Sequence, residues 1–175
     1  IISVDTETSS LNPLEADLIG ISLSYGSNEA FYIPLAHKKI KSLKKELVLK
    51  KIKPILEDSS IKKVGQNMKY DFIIFKKNGI EIDPIEDTML LSYTLDAGRN
   101  RHNMDTLSEL HLGHKTISYK DLVGSGKKQL NFSDVNLEEA TQYAAEDADV
   151  TLRLFNLLME RINNEKLNQI YEVFE

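Results

Sequence analysis

The chain has 175 residues, of which 41% are hydrophobic and 28% charged, the composition of one soluble globular domain with a core of ordinary size. It contains no cysteine, which excludes disulfide scaffolds, thiolate zinc sites and thiol nucleophiles, and no apolar run reaches the ~18 residues of a membrane span. A net charge of −5 argues mildly against a nucleic-acid binder, although divalent ions held by a carboxylate cluster would offset most of that charge.

The chain opens directly on strand-like sequence, with no basic leader, and ends within Tyr171–Glu175, so it reads as a piece of something longer. The apolar run Ile1–Val4 leads into Val4-Asp5-Thr6-Glu7-Thr8. Side chains two apart on a strand share a face, so Asp5 and Glu7 stand side by side and repel unless a cation lies between them. Residues 9–15 are turn-rich. From Asp17 to Tyr25 the sequence alternates, with Ile19, Ile21, Leu23 and Tyr25 on one face and Gly20, Ser22 and Ser24 on the other, which predicts a half-buried strand. A turn at Gly26-Ser27-Asn28 and a third strand at Phe31-Tyr32-Ile33, ended by Pro34, complete a β-meander.

Residues 38–53 hold eight lysines, while Leu43, Leu47, Val48, Ile52, Ile55 and Leu56 are spaced for one helix face. The lysines read as a solvated face, with phosphate steering as the alternative. A short strand follows at Ile61–Val64. Asn67 is then positioned to cap a helix from Met68 to about Lys77, closed by Gly79, which would place Asn67 and Asp71 on one face. Helices are predicted over Ile85–Leu95 and Met104–Leu112, flanking the basic loop Gly98–His102. His114 to Phe132 is a loop-rich excursion; its Gly124-Ser125-Gly126-Lys127 lacks the spacing of a phosphate loop. Asn136 caps the longest helix, which runs to about Asn163 with Ala140, Ala144, Ala148, Leu152, Phe155 and Met159 in helical period. A last short helix covers Glu165–Val173. On the long helix Tyr143 and Asp147 share a face beside small residues that let it lie close to a sheet, while Glu146 and Asp149 are expected to face solvent.

Singly these acids are unremarkable, since Asp71 reads as helix-dipole stabilisation and Tyr-x-x-x-Asp as packing. Their order is more specific: D-x-E on the first strand, N-x-x-x-D on a middle helix, Y-x-x-x-D on a late one. This resembles the DEDD 3′–5′ exonuclease superfamily in its tyrosine subgroup; Gln142 stands where the histidine subgroup carries its histidine. Val-Asp-Thr-Glu-Thr (4–8), Val-Gly-Gln-Asn-Met-Lys-Tyr-Asp (64–71), His-Lys-Thr-Ile (114–117) and Tyr-Ala-Ala-Glu-Asp-Ala-Asp-Val-Thr-Leu (143–152) are similar to the proofreading domains of family A bacterial DNA polymerases across essentially the whole chain.

The resemblance implies an α/β, ribonuclease-H-like fold, with a mixed sheet flanked by helices, spanning residues 1–175 as one exonuclease domain of a longer polymerase chain. It implies two divalent metals, Mg²⁺ or Mn²⁺, on hard oxygen ligands, with Asp5 bridging, Glu7 and Asp147 completing one site and Asp71 at the second. Tyr143 would orient the attacking water. Thr6, Leu11, Gln66, Asn67 and Tyr119 would contact the substrate: Thr6 through its backbone, Leu11 as a wedge, Tyr119 by stacking in place of the phenylalanine common in the family. The implied partner is a single-stranded DNA 3′ end, the setting a monomer in the bacterial cytoplasm at the nucleoid, without membrane contact. The alternatives are a ribonuclease D-like RNA-trimming enzyme and a non-catalytic module of a polymerase; the acids and tyrosine being present disfavours the latter.

Overall fold

The computed structural model describes residues 1–40, 42–126 and 129–174. Its centre is the meander of β1 (Ile2–Thr8), β2 (Leu18–Gly26) and β3 (Glu29–Pro34), paired antiparallel with Asp5 opposite Ser22 and Glu7 opposite Gly20. Two short strands, β4 (Lys63–Gly65) and β5 (Ile85–Asp87), add in parallel on the other side of β1, giving a mixed five-stranded sheet of order β3-β2-β1-β4-β5. The helices are α1 (Lys45–Leu56), α2 (Lys69–Lys77), α3 (Thr88–Asp96), α4 (Met104–Leu107), α5 (Tyr119–Val123), α6 (Leu137–Asn164) and α7 (Asn168–Phe174). A π-helical turn, Ser108–Leu112, continues α4, and a 3₁₀ turn, Phe132–Asp134, precedes α6.

Val4 and Ile21 belong to one core layer with Val48, Ile52 and Leu56 of α1 and with Ile74 and Phe75 of α2. On the other face α6 lies across β1, β2 and β3. There the sheet presents Ser3, Gly20, Ser22 and Ser24, and the helix presents Ala140, Ala144 and Ala148, all of them buried. Small side chains on both surfaces let the backbones approach, and the Ser3 hydroxyl donates directly to the Ala148 carbonyl at 2.5 Å. The period of β2 is therefore as predicted, but the strand is not half-buried in the expected sense. The small, polar face lies under α6, whereas Tyr25 on the apolar face is 61% exposed.

Other expectations are corrected. On α1 only Val48, Ile52 and Leu56 are buried, an i, i+4, i+8 stripe, while Leu47 and Ile55, together with Leu43 before the helix, lie outside it. Of the lysine tract, Lys38 pairs with Asp134 at 2.7 Å; Lys41 lies outside the described residues, as do Lys127 of the glycine-rich segment and Glu175. The helix predicted from Ile85 begins three residues later, because Ile85–Asp87 pairs with β4 and Asp87 caps α3 by accepting from Met89 N–H at 2.8 Å. Asn67 does not cap α2: it sits before the helix at φ 59°, and the backbone N–H groups of Asn67 and Met68 donate to Asp87 at 3.0 and 2.8 Å. At the long helix the cap is as expected, Asn136 accepting from Glu138 N–H at 2.9 Å.

Candidate active site

β1 and α6 bring the first and last acids together. Asp5, Glu7 and Asp147 each offer a carboxylate oxygen, and these atoms lie within 4.8 Å of one another. Asp5 and Glu7 stand on the α6 face of β1, as the strand period predicts, and Asp147 reaches them because the alanines beside it seat α6 on the sheet. Asp71 is adjacent but outside that triad. It approaches β1 from α2, and its Oδ1 accepts both the Thr6 N–H (2.9 Å) and the Thr6 hydroxyl (2.5 Å).

Crowding makes each carboxyl resist ionisation. Burial, ahead of the relief given by Ser22 and Thr6, pushes Asp5 up to about 6. Glu7 is raised well above its ordinary range by burial and then by the charges of Asp5, Asp147 and Asp71. Asp71 and Asp147 are raised likewise, by burial first and the Asp5 charge next. Asp147 Oδ1 is buried with no hydrogen-bond partner among the described residues. A buried acceptor of this kind is costly unless a donor or cation meets it, and clustered hard oxygens are the donor set of Mg²⁺ or Mn²⁺.

Over the acids lies a cleft of about 930 Å³. Its walls come from the end of β1 and the segment after it (Thr8–Leu11), from Asn67 and Tyr70, from Tyr119 on α5, from Gln129–Phe132, and from Tyr143 on α6. Tyr119 stacks parallel to Phe132 (ring centroids 6.5 Å apart, 3° between planes), and both rings lie near Tyr143. Burial first, then the charges of Asp147, Glu7 and Asp5, hold the Tyr143 phenol far above its ordinary pKa, so it keeps its proton at any physiological pH.

Of the residues predicted to meet substrate, Leu11, Asn67 and Tyr119 line this cleft. Thr6 also lines it, and its N–H and hydroxyl both donate to Asp71 Oδ1. Gln66 lies elsewhere: its Nε2 donates to the His102 carbonyl (2.7 Å) and its Oε1 accepts from Thr88 Oγ1 (2.5 Å), anchoring the turn before α2. Glu146 and Asp149 do not simply face water. Glu146 accepts from the Ile117 N–H (2.6 Å) and pairs with His114 Nε2 (2.8 Å), tying the His114–Ile117 segment to α6 next to Asp147. Asp149 accepts from the Asn28 N–H at 2.5 Å and pairs with Arg153 at 3.2 Å.

Sequence reasoning missed Tyr70, whose hydroxyl donates to the Ser10 carbonyl at 2.5 Å, and Phe132. The signal for Phe132 was a lone aromatic in a polar turn sequence. Asp87 was missed as well, although Asp-Thr ahead of an apolar run is an ordinary mark of a helix start.

A mixed sheet with helices on both faces and acids converging from its central strand and long helix defines a ribonuclease-H-like fold of the 3′–5′ exonuclease type. Among solved structures, Brucella melitensis NrnC with bound Mg²⁺ superposes with a TM-score of 0.74 at 23% identity, covering 98% of this chain and 78% of that one. Escherichia coli RNase D superposes with a TM-score of 0.67 at 20% identity, covering 93% and 40%. Residues 1–163 match the model of the 3′–5′ exonuclease family found in family A DNA polymerases, and the chain belongs to that family. DNA polymerase I of Rhizobium leguminosarum is 43% identical over 100% of this chain, and that of Pseudomonas aeruginosa 43% over 93%. The chain spans only 19% and 18% of the length of these relatives.

Proposed function

We propose that the chain is the proofreading module of a family A DNA polymerase, releasing 5′-mononucleotides stepwise from single-stranded or frayed DNA 3′ ends. The observation that carries this reading is the convergence of Asp5, Glu7 and Asp147 at the floor of an aromatic-walled cleft. Two divalent ions would be held by these three residues, with Asp71 at the margin, where both bonds from Thr6 fall on Oδ1 and leave Oδ2 outside the pair. When bound, such ions supply the positive charge that activates a water and stabilises a departing 3′ oxygen.

The remaining work falls to the protein. Tyr143, which stays protonated, donates a hydrogen bond and orients the attacking water rather than deprotonating it. Tyr119, backed by Phe132, offers a ring on which an unpaired base stacks, and Leu11 meets the terminal base at the rim. Asn67, beside the acids, contacts the penultimate sugar or phosphate.

The test is degradation of a 3′-labelled single strand in Mg²⁺ or Mn²⁺, with and without EDTA, using DNA and RNA of one sequence. The expected outcome is EDTA-sensitive release of deoxynucleotides that Asp5→Ala abolishes while the fold is retained. Full activity in that variant would sink the assignment, and faster loss of RNA would favour the ribonuclease D-like reading.

A further inference from the structure

α2 supports the cleft at both of its ends. In its first turn Asp71 holds Thr6 and Tyr70 holds the Ser10 carbonyl. At its last residue, Lys77 extends its ammonium to the carbonyls of Pro13, Leu14 and Ala16 at 2.9, 2.8 and 2.8 Å. Tyr70 and Lys77 are two helical turns apart and so stand on one face. The segment they hold runs from Ser9 to Asp17 and is closed at its base by Ser9 N–H to the Asp17 carbonyl (3.0 Å) and Asp17 N–H to Ser9 Oγ (2.8 Å). Ser9, Ser10 and Leu11 line the cleft, and Leu11 is 92% exposed. Packing does not hold such a side chain in place, so its position is set by the backbone beneath it. An ammonium has three donors, and Lys77 commits all three to main-chain oxygens.

We propose that Lys77 is a positioning residue: by pegging the turn at 13–16 it holds Leu11 at the rim and so sets how strongly the cleft favours unpaired over paired 3′ ends. The proposal rests on the exonuclease reading above. Its basis is geometric rather than electrostatic, because the protons of Lys77 are already spent and none is left for a phosphate. Arginine is therefore no substitute. A planar guanidinium keeps the charge but its fork does not converge on three carbonyls.

The experiment compares the unaltered chain with Lys77→Met and Lys77→Arg, in Mn²⁺, on a 3′-labelled single strand and on the same strand with its 3′ end paired. Both variants should raise KM for the single strand about three- to tenfold, since the loop must be ordered on binding, with kcat within about twofold. Both should narrow the preference for the unpaired end and speed amide exchange at residues 14–16. Wild-type KM in Lys77→Arg would overturn the proposal by showing that charge suffices. Faster exchange with unchanged KM and end preference would overturn it by showing that the peg only stabilises the loop. If the unaltered chain degrades neither strand, the exonuclease reading itself fails, and this proposal with it.

Discussion

Four carboxyls that share one small region raise one another's hold on protons, and the effect has a definite sign. Asp5 is pushed to about 6, and Glu7, Asp71 and Asp147 rise well above their ordinary values, so the native chain binds more protons than the unfolded one as pH climbs from the ordinary carboxylate range. Stability from such groups is present at low pH and is lost as pH rises through the native pKa. In EDTA the chain should therefore melt at a higher temperature at pH 5 than at pH ~7.5. Asp96, which Arg161 holds below the ordinary range, is ionised at both values and adds nothing to the difference, whereas His37 and His111, lowered first by burial, take up protons less readily in the native chain and offset part of it. Asp5→Asn should flatten the difference, and saturating Mn²⁺ should remove it by binding the ionised form. Melting curves of the unaltered chain and Asp5→Asn at the two pH values check this; a pH difference that Asp5→Asn leaves unchanged would mean that the acids do not share a field. At this scale the sequence was informative where geometry is local. Strand parity is enough to put Asp5 beside Glu7, whereas the proposed Asn67–Asp71 face failed because the positive φ of Asn67 keeps it out of the helix.

At the scale of elements, α6 carries Tyr143, Glu146 and Asp147 within one and a half turns, and each performs a different task. Tyr143 and Asp147 face the cleft; Glu146 grips the segment that leads into α5 and Tyr119. Glu146→Ala would leave the Ile117 N–H without its acceptor, a loss of about 1–3 kcal/mol. That should lower Tm by roughly 2–12 °C for a chain of this size. Calorimetry reads the first effect, and weaker binding of a single strand reads the accompanying displacement of Tyr119. Unchanged Tm would show that the His114–Ile117 segment is held by its other bonds, such as Thr116 to Asp105 at 2.7 Å. This clamp was invisible in the sequence because its partners lie 29 residues apart, and an acid on a helix surface looks the same whether it faces water or a loop. The same applies to β5: three residues pairing with a strand of three carry too little period to be separated from the helix that follows.

For the whole molecule, the helix over the sheet sets the terms. α6 crosses β1, β2 and β3 only because serine, glycine and alanine leave it room, and this was foreseen on the helix side but misread on the strand side, where small residues passed for a solvent face. One position shows how narrow that room is. Gly20 lies opposite Glu7, and a Cβ added there would stand 2.1 Å from the Tyr32 hydroxyl and 2.3 Å from its ring. Tyr32 is itself held, its hydroxyl hydrogen-bonded to His37 Nε2 at 2.8 Å and its ring edge-on to Phe132 at 6.3 Å, the same ring that backs Tyr119. A single methyl group at Gly20 therefore presses through Tyr32 on the aromatic wall and sits directly across the strand from an acid. In a mutational scan scored by degradation of a 3′ end, Gly20→Ala should group with the acids rather than with core residues. A scan scored by the amount of folded protein would separate the two, and Gly20 would then stand out as a position that shapes chemistry it never touches.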